Sequence, residues 1–242
     1  MTAETTEKPL YEGKAKRIFA TSNPDELLVE YKNSLTAFNA LKKDSLEGKG
    51  ELNNKISACL FTYLAKNGVE NHFIRQLDDI HQLVRRMTII PVEVIVRNIA
   101  TGSLVKRLGV QEGLVLEFPL VEYCYKSDEL GDPLITHDQA VLFGWATGEQ
   151  LNKIKNICLK VNELLTELFD QMGITLVDFK LEFGLDSSGK LMLADEVSPD
   201  TCRFWDNETK MKLDKDRFRK DLGDVLGAYN EIWNRLQKHF SI

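Results

Sequence analysis

Asp178, Lys180 and Glu182 stand at every second position of LVDFKLEFG (176–184), with Phe179, Leu181 and Phe183 between them. In an extended chain that alternation puts the charges on one face and the apolar side chains on the other. Asp186-Ser187-Ser188-Gly189 supplies turn chemistry, and LMLA (191–194) resumes an apolar strand that runs into Asp195-Glu196. A hairpin turning about Ser187-Ser188 pairs Leu185 with Lys190, Glu182 with Leu193 and Lys180 with Asp195. In that register Glu182 and Asp195 share a face as diagonal neighbours, close enough to hold one hard cation. One Glu and one Asp suffice for magnesium, which takes one or two carboxylates and completes its shell with water and phosphates. Alternating charge ordinarily marks only a solvated sheet face. Here the second strand leads directly into another polar cluster, Ser198-Pro199-Asp200-Thr201-Cys202-Arg203, and a metal–nucleotide site is the sharper expectation.

Anion-binding chemistry is spread along the rest of the chain. Tyr11-Glu12-Gly13-Lys14-Ala15-Lys16 reads as a bend between two strands, where Gly13 lets the backbone approach a ligand and Lys14 and Lys16 emerge on one side. Two such lysines suit a polyphosphate, although the segment lacks Walker A spacing and in isolation reads as an exposed basic strand. Arg97 shares a strand face with Glu93 and is followed by Thr101-Gly102-Ser103, where a short helix begins. An arginine ahead of a serine-bearing helix start can hold a phosphate, although a simple cap is the common outcome. Arg217, Arg219 and Lys220 read as a solvated face of the charged tail, and Lys126 as a surface lysine.

Elements must position these groups. Strands are expected at 10–21 with a glycine bend, and at 27–31, 73–77, 80–87, 91–99 and 116–125, besides the hairpin. The stretch 36–50, rich in Lys, Asp and Gly, reads as a loop. Apolar residues at helical spacing predict a helix over 52–66 with Gly68 as its stop, and a long amphipathic helix over 149–172 that packs behind the hairpin. The tail 213–240 is expected to be helical. A crossover between two lobes is expected near Val84 to Ile90.

The chain of 242 residues, 43% hydrophobic and 28% charged, is long enough for one large domain or two subdomains around a cleft. A net charge of −6 argues against broad nucleic-acid binding. The four cysteines and four histidines show no metal-ligand spacing, and the cysteines read as reduced thiols. No apolar run reaches membrane-spanning length and the start, MTAETTEKP, lacks a signal-peptide core, so a cytoplasmic protein without membrane partners is expected.

YEGKAK, IPVEVIVRNIATGSLVKR, LVDFKLEFG, LADEVSPD, RFWD and LDKDRFRKDLG, in that order over nearly the whole chain, resemble the SAICAR synthetase family. The resemblance implies an α+β, ATP-grasp-like and partly kinase-like two-lobed fold, with antiparallel sheets flanked by helices and an ATP cleft between lobes 1–86 and 87–242. It implies an ATP- and Mg2+-dependent ligase that joins L-aspartate to the carboxylate of carboxyaminoimidazole ribonucleotide (CAIR) through an acyl phosphate. By the same likeness Gly13, Lys14, Ala15, Lys16 and Lys126 meet ATP. Val84 and Ile89 stand for the crossover beside the nucleotide, and Glu182 and Asp195 hold the metal. Arg97, Ser103, Arg203 and Arg219 take the ribonucleotide phosphate, and Lys180 sits by the reacting carboxylate. Asp178 and Asp200 position substrate groups; Lys16, Asp178 and Lys180 form the catalytic set. Asn39 stands where many relatives carry an acid, and Thr201-Cys202 where they often carry Ser or Gly. A small-molecule kinase and a non-catalytic nucleotide-binding module are the alternatives, and a homodimer is left open.

Overall fold

Two antiparallel sheets and three long helices organise residues 8–37 and 41–242, which this computed structural model describes; Asn39 lies outside them. The chain runs through β1 (Tyr11–Glu12), β2 (Lys16–Ala20), β3 (Glu26–Tyr31), β4 (Ser34–Ala37), β5 (Lys42–Ser45) and α1 (Lys49–Lys66). Next come β6 (Phe73–Gln76), β7 (His81–Arg85), β8 (Thr88–Ile89), β9 (Val92–Ile99), α2 (Ser103–Leu108), β10 (Val115–Tyr125), β11 (Leu134–Ile135) and α3 (His137–Leu142). It ends with α4 (Gly148–Gln171), β12 (Ile174–Leu185), β13 (Leu191–Ala194), β14 (Cys202–Asp206), α5 (Asp216–Arg219) and α6 (Val225–Phe240). The first sheet has the order β1-β2-β3-β7-β6 and the second β11-β10-β9-β12-β13, with β14 and β8 also paired to β12.

β12 is the axis of the second sheet. Along one edge it pairs first with β9 and then with β8, and along the other first with β14 and then with β13. Ile174 and Leu176 belong to the core, but so do Phe179, Leu181 and Phe183. The change of parity is explained by a slip in the β12–β14 register at Val177. One residue there exchanges the two faces of the strand, and the slip aims Asp178, Lys180 and Glu182 away from the core. Gly184 is needed where β8 crosses: a Cβ there would meet Met87 Cβ at 2.8 Å and Thr88 O at 3.0 Å.

Behind the sheet lies α4. Thr147 and Gln150 close its first turn as a capping box, and Leu151, Ile154, Cys158, Val161, Leu165 and Leu168 form its buried stripe. They meet Val92, Val94 and Val96 of β9 and the apolar face of β12 in one core, which α1 and α6 extend. The smaller cluster of Val29, Tyr31 and Val84 sits in the first sheet.

Two expectations need correction. The stretch 36–50 contains most of a hairpin, β4–β5, and the start of α1. Its composition resembles a loop because its support is distant: Leu35 and Ala37 are buried, and Lys42 Nζ donates to Phe218 O at 2.6 Å. The tail 213–240, expected to be helical, is so only in α5 and α6, and is broken between them where Asp221, Gly223 and Asp224 take positive φ of 55°, 68° and 44°. Asp224 then caps α6 by accepting from Gly227 N.

Candidate active site

Two clusters of charge lie along the outward face of β12. At the Glu182 end, Lys180 Nζ donates to Glu182 and lies 3.0 Å from Glu93 Oε1 and 3.4 Å from Asp195 Oδ2. Lys126 Nζ donates to Glu182 Oε1 at 2.8 Å and lies 3.5 Å from Glu93. Lys16, from β2, donates to Asp195 and lies 3.1 Å from Glu196 Oε1. Four carboxylates (Glu93, Glu182, Asp195, Glu196) therefore face three ammonium groups (Lys16, Lys126, Lys180), one negative charge in excess. A buried group with that imbalance favours a further cation. Among the described residues no group of three or more His, Cys, Asp or Glu is placed to hold a metal alone. Glu182 and Asp195 nonetheless offer the hard oxygen pair that magnesium uses when phosphates supply the remaining ligands.

Burial alone would depress the Lys180 ammonium, but Glu182, Asp195 and Glu93 hold it well above the ordinary lysine value. Lys16 behaves alike: burial opposes its charge, while Asp195 and Glu196 more than offset it. The Asp195 carboxyl is held well below the usual range, because Lys16 and Lys180 outweigh the cost of burial. For Glu93 burial wins, and its carboxyl is raised despite Lys180.

Asp195 reaches this cluster by an unexpected route. β12 and β13 pair as Leu185↔Leu191, Phe183↔Leu193 and Glu182↔Ala194, one residue away from the expected register. The turn holds Ser187, Ser188 and Gly189 rather than two residues. Asp186 N donates to Lys190 O at 3.1 Å, Gly189 takes φ 82°, and the Asp186 side chain accepts from Ser188 N and Lys190 N. With Ala194 opposite Glu182, an extended Asp195 would face away. Asp195 instead has φ 62°, and this left-handed turn brings its carboxylate back beside Lys180 and Lys16.

At the other end, Asp178 accepts from Arg97 Nη1 at 2.9 Å and from Arg203 Nη1 at 2.9 and 3.0 Å. Arg97 Nε donates to Glu122 at 2.7 Å, and its Nη2 to Ser103 Oγ at 2.8 Å. Arg107 also pairs with Glu122, Arg203 Nε lies 3.0 Å from Asp216 Oδ2, and Arg219 donates to Asp216 at 2.6 Å. Four guanidinium groups thus meet three carboxylates, the opposite imbalance, which suits an anion. Gly102, at φ 58°, lies against this group: a Cβ there would come within 2.8 Å of Arg203 Nη2. A cavity of about 410 Å³ lined by Arg97, Ser103, Lys106 and Arg107 opens beside it.

Most residues singled out from the sequence fall in or beside these clusters, and a few do not. Lys14, beyond Gly13 and beside Ala15, pairs at 2.6 Å with Asp128 next to Lys126. Asp200 is engaged by Lys49 Nζ at 2.6 Å, Tyr229 Oη at 2.6 Å and Lys215 Nζ at 3.5 Å, a buried junction of α1, α6 and the 199–215 segment. Val84 is inside β7 with its side chain in the small core of the first sheet, whereas Ile89 is exposed in β8. Sequence reasoning missed Lys49, Glu122, Glu196 and Asp216 as partners, and gave Glu93 no role. Each has a partner at least a dozen residues away: Lys49 with Asp200, Glu122 with Arg97, Glu196 with Lys16, Asp216 with Arg203 and Glu93 with Lys180. It also missed His72, buried, with Nε2 3.1 Å from Asp195 O.

The family model for SAICAR synthetase matches residues 9–236. A relative from Deinococcus deserti, phosphoribosylaminoimidazole-succinocarboxamide synthase, is 56% identical over 226 residues, 93% of this chain and 95% of its own. The crystal structure of the Ehrlichia chaffeensis protein of that name has a TM-score of 0.93 at 47% identity, covering 95% of this chain and 98% of that one. A SAICAR synthetase solved in complex with ADP has a TM-score of 0.92 at 46% identity, covering 97% and 98%. With a family match over nearly its whole length and relatives of this identity, the chain belongs to the SAICAR synthetase family.

Proposed function

We infer that β12 is the shared floor of a ligase site in which ATP activates the CAIR carboxylate and L-aspartate displaces phosphate, giving SAICAR, ADP and phosphate. The observation that carries this reading is the pair of oppositely unbalanced clusters on one strand face, negative at Glu182–Asp195 and positive at Arg97–Arg203, with Lys180 between them. The first suits a metal-bound polyphosphate and the second a ribonucleotide phosphate. Lobes 1–86 and 87–242 enclose the nucleotide. Lys16 comes from the first sheet and Lys126 from just past the end of β10 in the second, and the two reach the triphosphate from different sheets.

Hydroxide is too poor a leaving group for direct amide formation. An oxygen of the CAIR carboxylate attacks the γ-phosphorus and ADP departs. The aspartate amine then attacks the acyl carbon, loses a proton, and phosphate departs. Lys14, Lys16 and Lys126 turn from their carboxylate partners to the phosphates and stabilise charge there. Glu182 and Asp195 hold Mg2+, which when bound neutralises charge on the transferring phosphoryl group. Lys180 faces the reacting carboxylate. Arg97, Ser103, Arg203 and Arg219 hold the ribonucleotide phosphate, and Asp178 fixes the spacing of the two arginines it bridges. All three substrates are soluble small molecules, in keeping with a cytoplasmic site of action.

The test is an assay of ADP release with ATP, CAIR, aspartate or Mg2+ omitted in turn. Stoichiometric ADP and SAICAR only in the complete mixture supports the reading. Aspartate-independent phosphorylation of a hydroxyl would replace it with a small-molecule kinase.

A further inference from the structure

Among the charged residues of the Glu182 cluster, Asp195 alone is a non-glycine residue in the left-handed region, at φ 62°, immediately beyond the last paired residue of β13. Such a conformation persists only where the surroundings impose it. Without it the register would point the Asp195 side chain away from Glu182, so whatever fixes this backbone decides whether the two carboxylates meet.

One side chain is placed to do so. His72 N donates to Leu193 O at 2.9 Å and Arg85 N donates to His72 O at 2.7 Å, which ties the residue at once to β13 and β7. Its neighbour Asn71 bridges Leu193 in parallel. From this anchor the imidazole reaches two residues further along the chain, where Nε2 lies 3.1 Å from Asp195 O. A carbonyl oxygen only accepts, so Nε2 carries the hydrogen. The ring is held edge-on against Phe61, with centroids 5.3 Å apart, and the residue is 7% exposed. Its hydrogen bond goes to the Asp195 carbonyl and so grips the peptide that aims the carboxylate.

We propose that His72 is a positioning residue that locks Asp195 in its site-facing conformation and thereby sets the affinity for metal-bound nucleotide. This rests on Asp195 being a metal ligand. It requires His72 to act on the magnesium-linked part of nucleotide binding and not on nucleotide binding as such, because the polyphosphate lysines are not held by the imidazole.

Calorimetric titration of the full chain with ADP, with and without Mg2+, separates these parts. Four proteins are compared: wild type, His72→Phe, His72→Gln and Asp195→Asn. Phe keeps a ring against Phe61 but has no N–H, whereas the Gln amide can still donate. In the wild type Mg2+ should tighten ADP binding. His72→Phe should lose about ten-fold of that tightening, the usual scale for a group that orients a metal ligand, with metal-free ADP affinity unchanged. His72→Gln should regain most of it. Wild-type tightening in His72→Phe overturns the proposal, and so does a Gln variant as impaired as Phe, which would make the role one of ring packing. Undiminished tightening in Asp195→Asn overturns the metal assignment itself and the proposal with it. Should His72→Phe not fold, nitrogen–proton correlation spectra of the wild-type imidazole decide: a hydrogen on Nε2 is expected, and an Nε2 without one refutes the lock.

Discussion

Lys16 and Arg203 belong to different clusters although both meet carboxylates of the same sheet face, so their truncation should separate the ligands. Charge-assisted hydrogen bonds contribute roughly 1.5–3 kcal/mol each. Lys16→Ala should therefore weaken ATP about ten-fold or more while leaving CAIR nearly untouched, and Arg203→Ala the reverse. Calorimetry that found both variants equally impaired for both ligands would dissolve the two-site assignment. Lys180 stands between the clusters, and its ammonium is proposed to act on charge that develops at the reacting carboxylate. With the CAIR carboxylate labelled by heavy oxygen, turnover should deliver label into phosphate and none into ADP. Lys180→Met should slow this transfer more than it weakens nucleotide binding. Unlabelled phosphate in the mass spectrum would end the acyl-phosphate route.

At the scale of elements, the site depends on how β12 and β14 are held. Asp206, the last residue of β14, accepts from Thr209 N at 2.7 Å and from Arg235 Nη2 of α6 at 2.6 Å. The backbone and hydroxyl of Thr209, with Arg235, hold its carboxyl well below the ordinary 3.8. A depressed carboxyl stabilises the fold above its unfolded pKa, and the contribution is lost as pH falls through the folded value. Asp206→Asn should thus cost about 1–3 kcal/mol at neutral pH, and the gap from wild type should narrow in acid, below the ordinary value. Urea unfolding at several pH values checks this, and a gap that widened in acid would contradict it. Behind the same sheet, Leu165 is fully buried in α4. Leu165→Ala should lower stability by roughly 2–5 kcal/mol without altering the split between ATP and CAIR affinities.

For the whole molecule, the proposed nucleotide site draws on both sheets, with Lys16 on a strand of the first, and Glu182 on β12 together with Lys126 and Asp195 just beyond β10 and β13 of the second. Binding that needs both in place stabilises the folded chain by mass action. Mg2+ and ADP at a hundredfold over the dissociation constant should add about 2.7 kcal/mol. For a chain of this length that raises the melting temperature by roughly 5–10 °C. Asp195→Asn should cut the magnesium-dependent part of that shift. A melting temperature indifferent to Mg2+ and ADP would argue against a nucleotide site shared by the two sheets.

Local chemistry alone made β9, α4, the β12 strand and the alternation of Asp178, Lys180 and Glu182 legible, because strand and helix periods are written in consecutive residues. Motifs in order over most of the chain pointed to the family. The rest was decided by contacts between residues far apart in sequence. The slip at Val177 chooses the face of β12, the third turn residue at Gly189 shifts the hairpin register, and the left-handed Asp195 reverses the consequence of that shift. No periodicity announces a one-residue slip, since pairing energy and turn geometry select the register only once both strands and their neighbours are in place. For the same reason Lys49, buried against Asp200, and His72, beneath Asp195, were invisible from the sequence. Each is a single polar residue in an ordinary local setting, and only the packed fold supplies its partner.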